Sequence, residues 1–207
     1  MYKEEMLRAA EASFHLHGFE RTTMDDIAKQ SGFTKRTIYN YFSSKEDLYY
    51  AVVLEGFQNL FAAMESVVDS SKNGFENVQA AIESFYRFYE DHRDTFLLMN
   101  YLGHIRSDKK ESPIYDQLVR FKREGLIKFM QIIENGKMDG SIQPEVDAEM
   151  FTYSLIFLLS GFFQELTSSG NTYTERYGLQ QKQFSSYVYE LLHSAFMNKL
   201  QQPANPT

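Results

Sequence analysis

Between Ile27 and Lys45 the only charged side chains are Lys29, Lys35, Arg36 and Lys45, and no Asp or Glu interrupts them. Four cations on so short a stretch are chemistry for holding an anion. Thr34, Thr37, Tyr39, Asn40 and Tyr41 lie among them and add hydroxyl and amide groups that can donate or accept hydrogen bonds. This mixture suits a repeated phosphate with polar base edges behind it.

The whole chain of 207 residues is formally −7, with 21 Lys or Arg against 28 Asp or Glu, so the basic stretch must be judged locally. Residues 51–207 hold 14 Lys or Arg and 20 Asp or Glu, so the excess of positive charge is confined to this one short stretch. Contact with phosphate depends on the local face rather than on the overall pI, and an acidic remainder would favour docking by one end.

The elements that must position these groups are short. Thr23 with Asp26 reads as an N-cap with an acid in the first turn, so a helix opens near Met24 and runs through Ile27 and Ala28. Gly32 accepts the left-handed conformation that ends a helix, and Phe33 fills the angle behind it. Thr34 then caps a second helix, Lys35 to Tyr41, whose Ile38 and Phe42 form the buried face. Lys35, Arg36, Thr37, Tyr39, Asn40 and Tyr41 stay exposed on a helix about 10 Å long, enough to lie across a major groove. Ser43 with Glu46, or Ser44 with Asp47, offers a capping box for a further helix from about Lys45, whose first amides could hold a phosphate beside the Lys45 ammonium. Upstream, Tyr2 to His17 reads as an amphipathic helix that buries Met6, Leu7, Ala10 and Phe14 and stops at Gly18-Phe19.

Thr23, Asp26-Ile27-Ala28, Gly32-Phe33-Thr34, Thr37-Ile38-Tyr39, Tyr41-Phe42 and Ser44-Lys45-Glu46-Asp47-Leu48, in this order about 20 residues into the chain, resemble the N-terminal DNA-binding domain of the TetR (tetracycline-repressor) family of bacterial regulators. The resemblance covers about the first 50 residues. It implies a helix-turn-helix in which the first of the two helices is a brace, with Thr23 touching the DNA backbone at its start. Thr34, Tyr39 and Lys45 would hold phosphates, while Lys35, Arg36, Thr37 and Tyr41 would approach base edges, with Asn40 beside them. Arg36 or Lys35 could read guanine, and the Thr37 methyl could meet a thymine methyl. The resemblance further implies a homodimer on a palindromic double-stranded DNA operator, with reading helices about 34–36 Å apart. The helix that opens at Lys45 would act as a lever between effector and DNA.

The rest of the chain has helical periodicity and no useful β-alternation. Helices are expected at Lys45 to about Val68, Phe75 to His92, Asp94 to about Ile105, Ser112 to Asn135, Asp147 to about Thr167 and Tyr177 to Leu200. Breaks fall at Ser70 to Gly74, Ser107 to Pro113, Gly136 to Pro144 and Ser168 to Thr174. The expected fold is all-α with about nine helices: a DNA-binding domain over residues 1–46, an effector-binding and dimerisation domain over 47–200, and a tail over 201–207. Cysteine is absent, which excludes disulfides and thiolate chemistry. No run of 18 apolar residues occurs, and Glu4, Glu5 and Glu11 make the start unlike a signal peptide, so a soluble cytoplasmic protein without a membrane partner is expected.

Met150 to Phe163 is apolar almost all round, and Tyr177 to Leu200 carries a second broad stripe. A dimer through these helices would cover both, with Phe151, Leu155, Leu158, Phe162, Phe184, Tyr187 and Leu191 at the interface and Gly161 permitting close approach. The middle helices hold Phe61, Met64, Phe85, Phe88, Tyr89, Phe96, Met99, Phe121, Phe129 and Phe157, large rings and Met that fill cores and also line adaptable pockets. As a set they favour a small apolar or aromatic effector.

Two other readings stay open. One is a DNA-bound adaptor that recruits a protein and senses no small molecule. The other, remote, is a di-iron enzyme suggested by Glu190 and His193, which would need a second such pair and two further Glu on facing helices. The five His are otherwise scattered and no phosphate loop or nucleophile motif occurs, so no catalytic residue, metal or cofactor is expected.

Overall fold

Helix is what local sequence dictates along most of the chain, and the computed structural model, described over residues 2–105, 112–169 and 176–201, contains helices and no strand among those residues. The α-helices are α1 Tyr2–Arg21, α2 Met24–Ser31, α3 Lys35–Tyr39, α4 Lys45–Ser66, α5 Gly74–Asp91, α6 Arg93–Tyr101, α7 Pro113–Asp139, α8 Ala148–Ser168 and α9 Gln181–Gln201. A 3-10 turn at Leu102–His104 follows α6. The expected tail beyond Gln201, and most of the expected breaks at Ser107 to Pro113 and Ser168 to Thr174, lie outside the described residues.

The chain packs as two compact units, residues 1–59 with 94–123 and residues 60–93 with 124–207. In the first unit, Met6, Ala10 and Phe14 of α1, Ile27 of α2 and Ile38 of α3 are buried with Phe42. The Phe14 and Phe19 rings each meet Tyr49 of α4 edge-on, at 5.0 and 5.1 Å. Tyr49 is fully buried, and its hydroxyl donates to the Leu98 carbonyl at 2.6 Å, which satisfies the one polar atom it takes inside. A Cβ at Gly56 would press on Met99 Sδ at 2.9 Å, so glycine lets α6 approach α4 closely.

In the second unit, Val78, Ala81, Ile82 and Tyr89 of α5 are buried with Phe129 and Ile133 of α7, Leu159 and Phe163 of α8 and Leu200 of α9. Tyr89 stacks on Phe163 at 3.9 Å. The sequence predicts a break from Gly136, but α7 runs through it to Asp139 and ends at Gly140, whose φ is 78°. Gly136 serves packing instead: a Cβ at Gly74 would collide with its backbone, so the start of α5 rests directly on α7. Asp139 Oδ2 accepts from the Gly74 amide at 2.7 Å and Ser141 Oγ from the Phe75 amide at 3.1 Å, serving two otherwise free helix-end donors.

Candidate nucleic-acid interface

The frame of the basic segment is built from caps. Thr23 Oγ1 accepts from the Asp26 amide at 3.2 Å, and Asp26 Oδ2 accepts from the Thr23 amide at 3.0 Å and its hydroxyl at 2.6 Å, a reciprocal capping box at the start of α2. These hydrogen bonds hold the Asp26 carboxyl below its ordinary pKa of 3.8. Gly32 closes α2 at φ 73° and ψ 6°, the left-handed turn expected of it. Thr34 Oγ1 then accepts from the Thr37 amide at 3.1 Å and opens α3. After Tyr39 the helix tightens, with the Tyr41 amide on the Ile38 carbonyl at 2.9 Å; α3 is thus two residues shorter than expected.

The side chains sort into free and committed groups. Arg36, Tyr39, Asn40 and Tyr41 are exposed, the two tyrosines at 45% and 47%, while Ile38 and Phe42 beneath them are buried. Thr23 and Thr34 are exposed but serve as caps, and the Thr37 hydroxyl is bonded to Thr34 Oγ1 at 2.7 Å. Lys35 is held by Asp25 Oδ2 at 2.9 Å, and this partner raises its pKa. Lys45 departs from the phosphate role. Its Nζ donates to the carbonyls of Phe19, Glu20 and Thr22 at 2.8, 3.4 and 3.0 Å and sits 4.2 Å from the Phe19 ring centroid. The ammonium thus ties the end of α1 to the start of α4.

Asp47, not Glu46, is engaged at the start of α4. Its amide donates to Ser44 Oγ at 3.1 Å, Ser43 Oγ bonds its carboxylate, and Ser112 Oγ donates to its Oδ1 at 2.6 Å. A carboxylate already stands beside the first turn where a phosphate was expected. Sequence reasoning missed Asp25, because the charge window opened at Ile27; two residues more would have shown the neutralising acid. Lys29, exposed near the end of α2, makes no hydrogen bond or ion pair with the described residues, although its charge helps to lower the Asp26 pKa, and with Arg36 it leaves two cations outside any ion pair. The surface can therefore present two unpaired cations, hydroxyls and an amide from one short capped helix and its neighbour, which is what reading an edge-patterned polyanion needs.

The residues expected in the second half are partly redistributed. Phe61, Phe88, Tyr89, Phe96, Met99 and Phe129 are buried, whereas Met64, Phe85 and Phe121 are half-buried. Phe157, expected toward an effector, is 76% exposed beside Leu158 at 51%, so it points away from the core that would hold one. Phe151 and Leu155, expected at a dimer interface, are buried in their own unit, Phe151 against Phe196 at 5.6 Å. The cause is the helical period: both lie on the face of α8 that also buries Leu159 and Phe163. Phe162 and Phe184 meet edge-on at 5.8 Å, while Tyr187 and Leu191 are 61% and 54% exposed. A groove of about 530 Å³ at the α7–α8 connection is lined by Met130, Glu134, Lys137 and residues 144–149, and includes none of the ten expected effector residues. Among the described residues no three His, Asp or Glu side chains gather as a metal ion requires. Nor is any described helix long and apolar enough to cross a membrane.

Three helices, a left-handed glycine turn and an exposed polar face on the last of them define a helix-turn-helix DNA-binding regulator. Residues 6–52 match the family described as bacterial regulatory proteins, tetR family, and over that segment the chain carries the DNA-binding domain of such a transcriptional regulator. It is 27% identical over 148 residues to the HTH-type transcriptional repressor KstR2 of Mycobacterium tuberculosis, covering 70% of this chain and 72% of that one. The fold is shared with the TetR family transcriptional regulator PfmR from Thermus thermophilus, at a TM-score of 0.70 and 20% identity over 95% of this chain and 99% of the other. It is shared too with the transcriptional regulator FadR from Bacillus subtilis solved in complex with stearoyl-CoA, at 0.66 and 18% over 92% and 97%.

Proposed function

We propose that this regulator is a cytoplasmic repressor that binds a palindromic operator as a homodimer and leaves it when a small apolar or aromatic effector binds. The observation that carries the DNA contact is the exposed row Arg36, Tyr39, Asn40 and Tyr41 on α3 and the turn that follows it, beneath which Ile38 and Phe42 are locked into the core. In this reading Arg36 and Tyr41 meet base edges with Asn40 between them. Lys29, Tyr39, Thr34 and, once released from Asp25, Lys35 meet phosphates.

Homodimerisation is supported by the exposed apolar face of α8 and α9 at Met150, Phe157, Leu158, Tyr187 and Leu191. Monomers rarely leave so many large apolar groups together in water. Effector control draws support from the aromatic and methionine content of the helices after Lys45, and from the stearoyl-CoA bound by the FadR protein of similar fold. The DNA-binding domain would be residues 1–46 and the effector and dimer domain 47–200. Residues of both compact units lie on α4, so a displacement along that helix would reach Lys45 and the turn it ties. A coupling of about 1–3 kcal/mol would change operator affinity 5- to 150-fold.

Genomic footprinting followed by titration of the bound site tests the proposal. A two-fold site protected by two copies of the chain, and released by an apolar compound, is expected. A bound site without two-fold symmetry would reject the homodimer reading, and affinity unmoved by any compound alongside a stable protein partner would favour the adaptor.

A further inference from the structure

One face of α7 runs through Leu118, Lys122, Gly125, Phe129, Ile133 and Gly136 at helical spacing. Leu118, Phe129, Ile133 and Gly136 are buried, and Lys122 is the one charged residue on the stripe. Its ammonium lies 4.6 Å from the centroid of the Phe57 ring of α4. It makes no hydrogen bond or ion pair with the described residues, although every other lysine of α7 does: Lys128 pairs with Glu65 at 2.6 Å and Lys137 with Glu134 at 3.0 Å. Partial burial strips water from the Lys122 ammonium and pushes its pKa below the ordinary lysine value. A ring face returns only part of lost hydration. An apolar residue would fill this position without that penalty, so the cation answers a need other than packing.

We propose that Lys122 anchors the carboxylate of the effector, which is therefore an apolar monocarboxylic acid with its hydrocarbon end directed among aromatic side chains. This rests on the reading of the chain as an effector-controlled regulator and narrows the chemical class of that effector. One ammonium neutralises one charge, so a carboxylate leaves an apolar stripe neutral, whereas a phosphate dianion would leave it charged. Phe57 and half-buried Phe121 supply apolar surface next to the anchor.

The test is calorimetric titration of the full chain with dodecanoate and 4-phenylbutyrate, each against its primary amide, with dodecanoyl-CoA as a thioester arm. At least one acid should bind wild type tenfold or more tightly than its amide. The preference should vanish in Lys122→Met and survive in Lys122→Arg, while the thermal midpoint of Lys122→Met is unchanged or higher. Equal binding of acid and amide, an acid preference that persists in Lys122→Met, binding of dodecanoyl-CoA alone, or no binding of either acid would overturn the assignment. Operator release by an amide or by the thioester would sink the carboxylate anchor yet leave effector control standing. Failure of every compound and of a total organic cell extract to release the operator would sink effector control itself.

Discussion

At the scale of single residues, charge counting and charge availability part company. Of the four cations between Ile27 and Lys45, Lys35 is matched by Asp25 and Lys45 is spent on three backbone carbonyls. Lys45→Ala should therefore destabilise the first unit by about 1–3 kcal/mol, the usual worth of hydrogen bonds from a charged donor, and lower operator affinity without changing its salt dependence. A salt slope reduced by about one with an unchanged melting midpoint would restore the phosphate role. Asp25→Asn works in the opposite direction. Freeing Lys35 should strengthen binding to all sequences and steepen the salt slope by about one, measured by filter binding at graded salt. Arg36→Ala should instead relax preference at a single base position by about 1–3 kcal/mol, which a systematic operator-variant panel would read.

Elements were legible where their causes are local. Thr23-Asp26, Gly32 and Thr34 specify α2, the turn and the start of α3 within a dozen residues, and each does in three dimensions what its type and spacing imply. The capping box also yields a pH expectation. Asp26 has a folded pKa below its ordinary value, so its contribution to stability is fully present above the unfolded value near 4 and is lost as pH falls through the lower folded one. Urea midpoints should fall more gently with acid in Asp26→Asn than in wild type, and parallel profiles would deny the cap this role. Causes that span the sequence were not legible. The Lys45 ammonium reaches carbonyls 23 to 26 residues upstream, and Gly136 is fixed by Gly74, which no local signal distinguishes from a helix stop. Likewise Phe151 and Phe157 are equally apolar in sequence, and only the phase of α8 against its neighbours turns one inward and the other out.

That phase matters most for the whole molecule. The sides of α8 and α9 turned to water carry Phe157, Leu158, Tyr187 and Leu191, while Phe151 and Leu155 are consumed inside. If this face pairs with its copy, a charge at its most exposed ring should block pairing without disturbing the fold, because Phe157 contributes little to its own unit's core. Phe157→Glu is therefore expected to sediment as a monomer with an unchanged helical signal and melting cooperativity. Phe151→Ala should leave subunit association nearly intact but lower stability by about 3–5 kcal/mol through the cavity it opens. The first variant should also lose operator affinity far more than half, since a palindrome rewards two linked reading heads through effective concentration and a lone head forfeits that gain. A Phe157→Glu protein that remains dimeric would move the interface elsewhere on the molecule. A monomer that still binds the full operator as tightly as wild type would separate dimerisation from DNA recognition altogether.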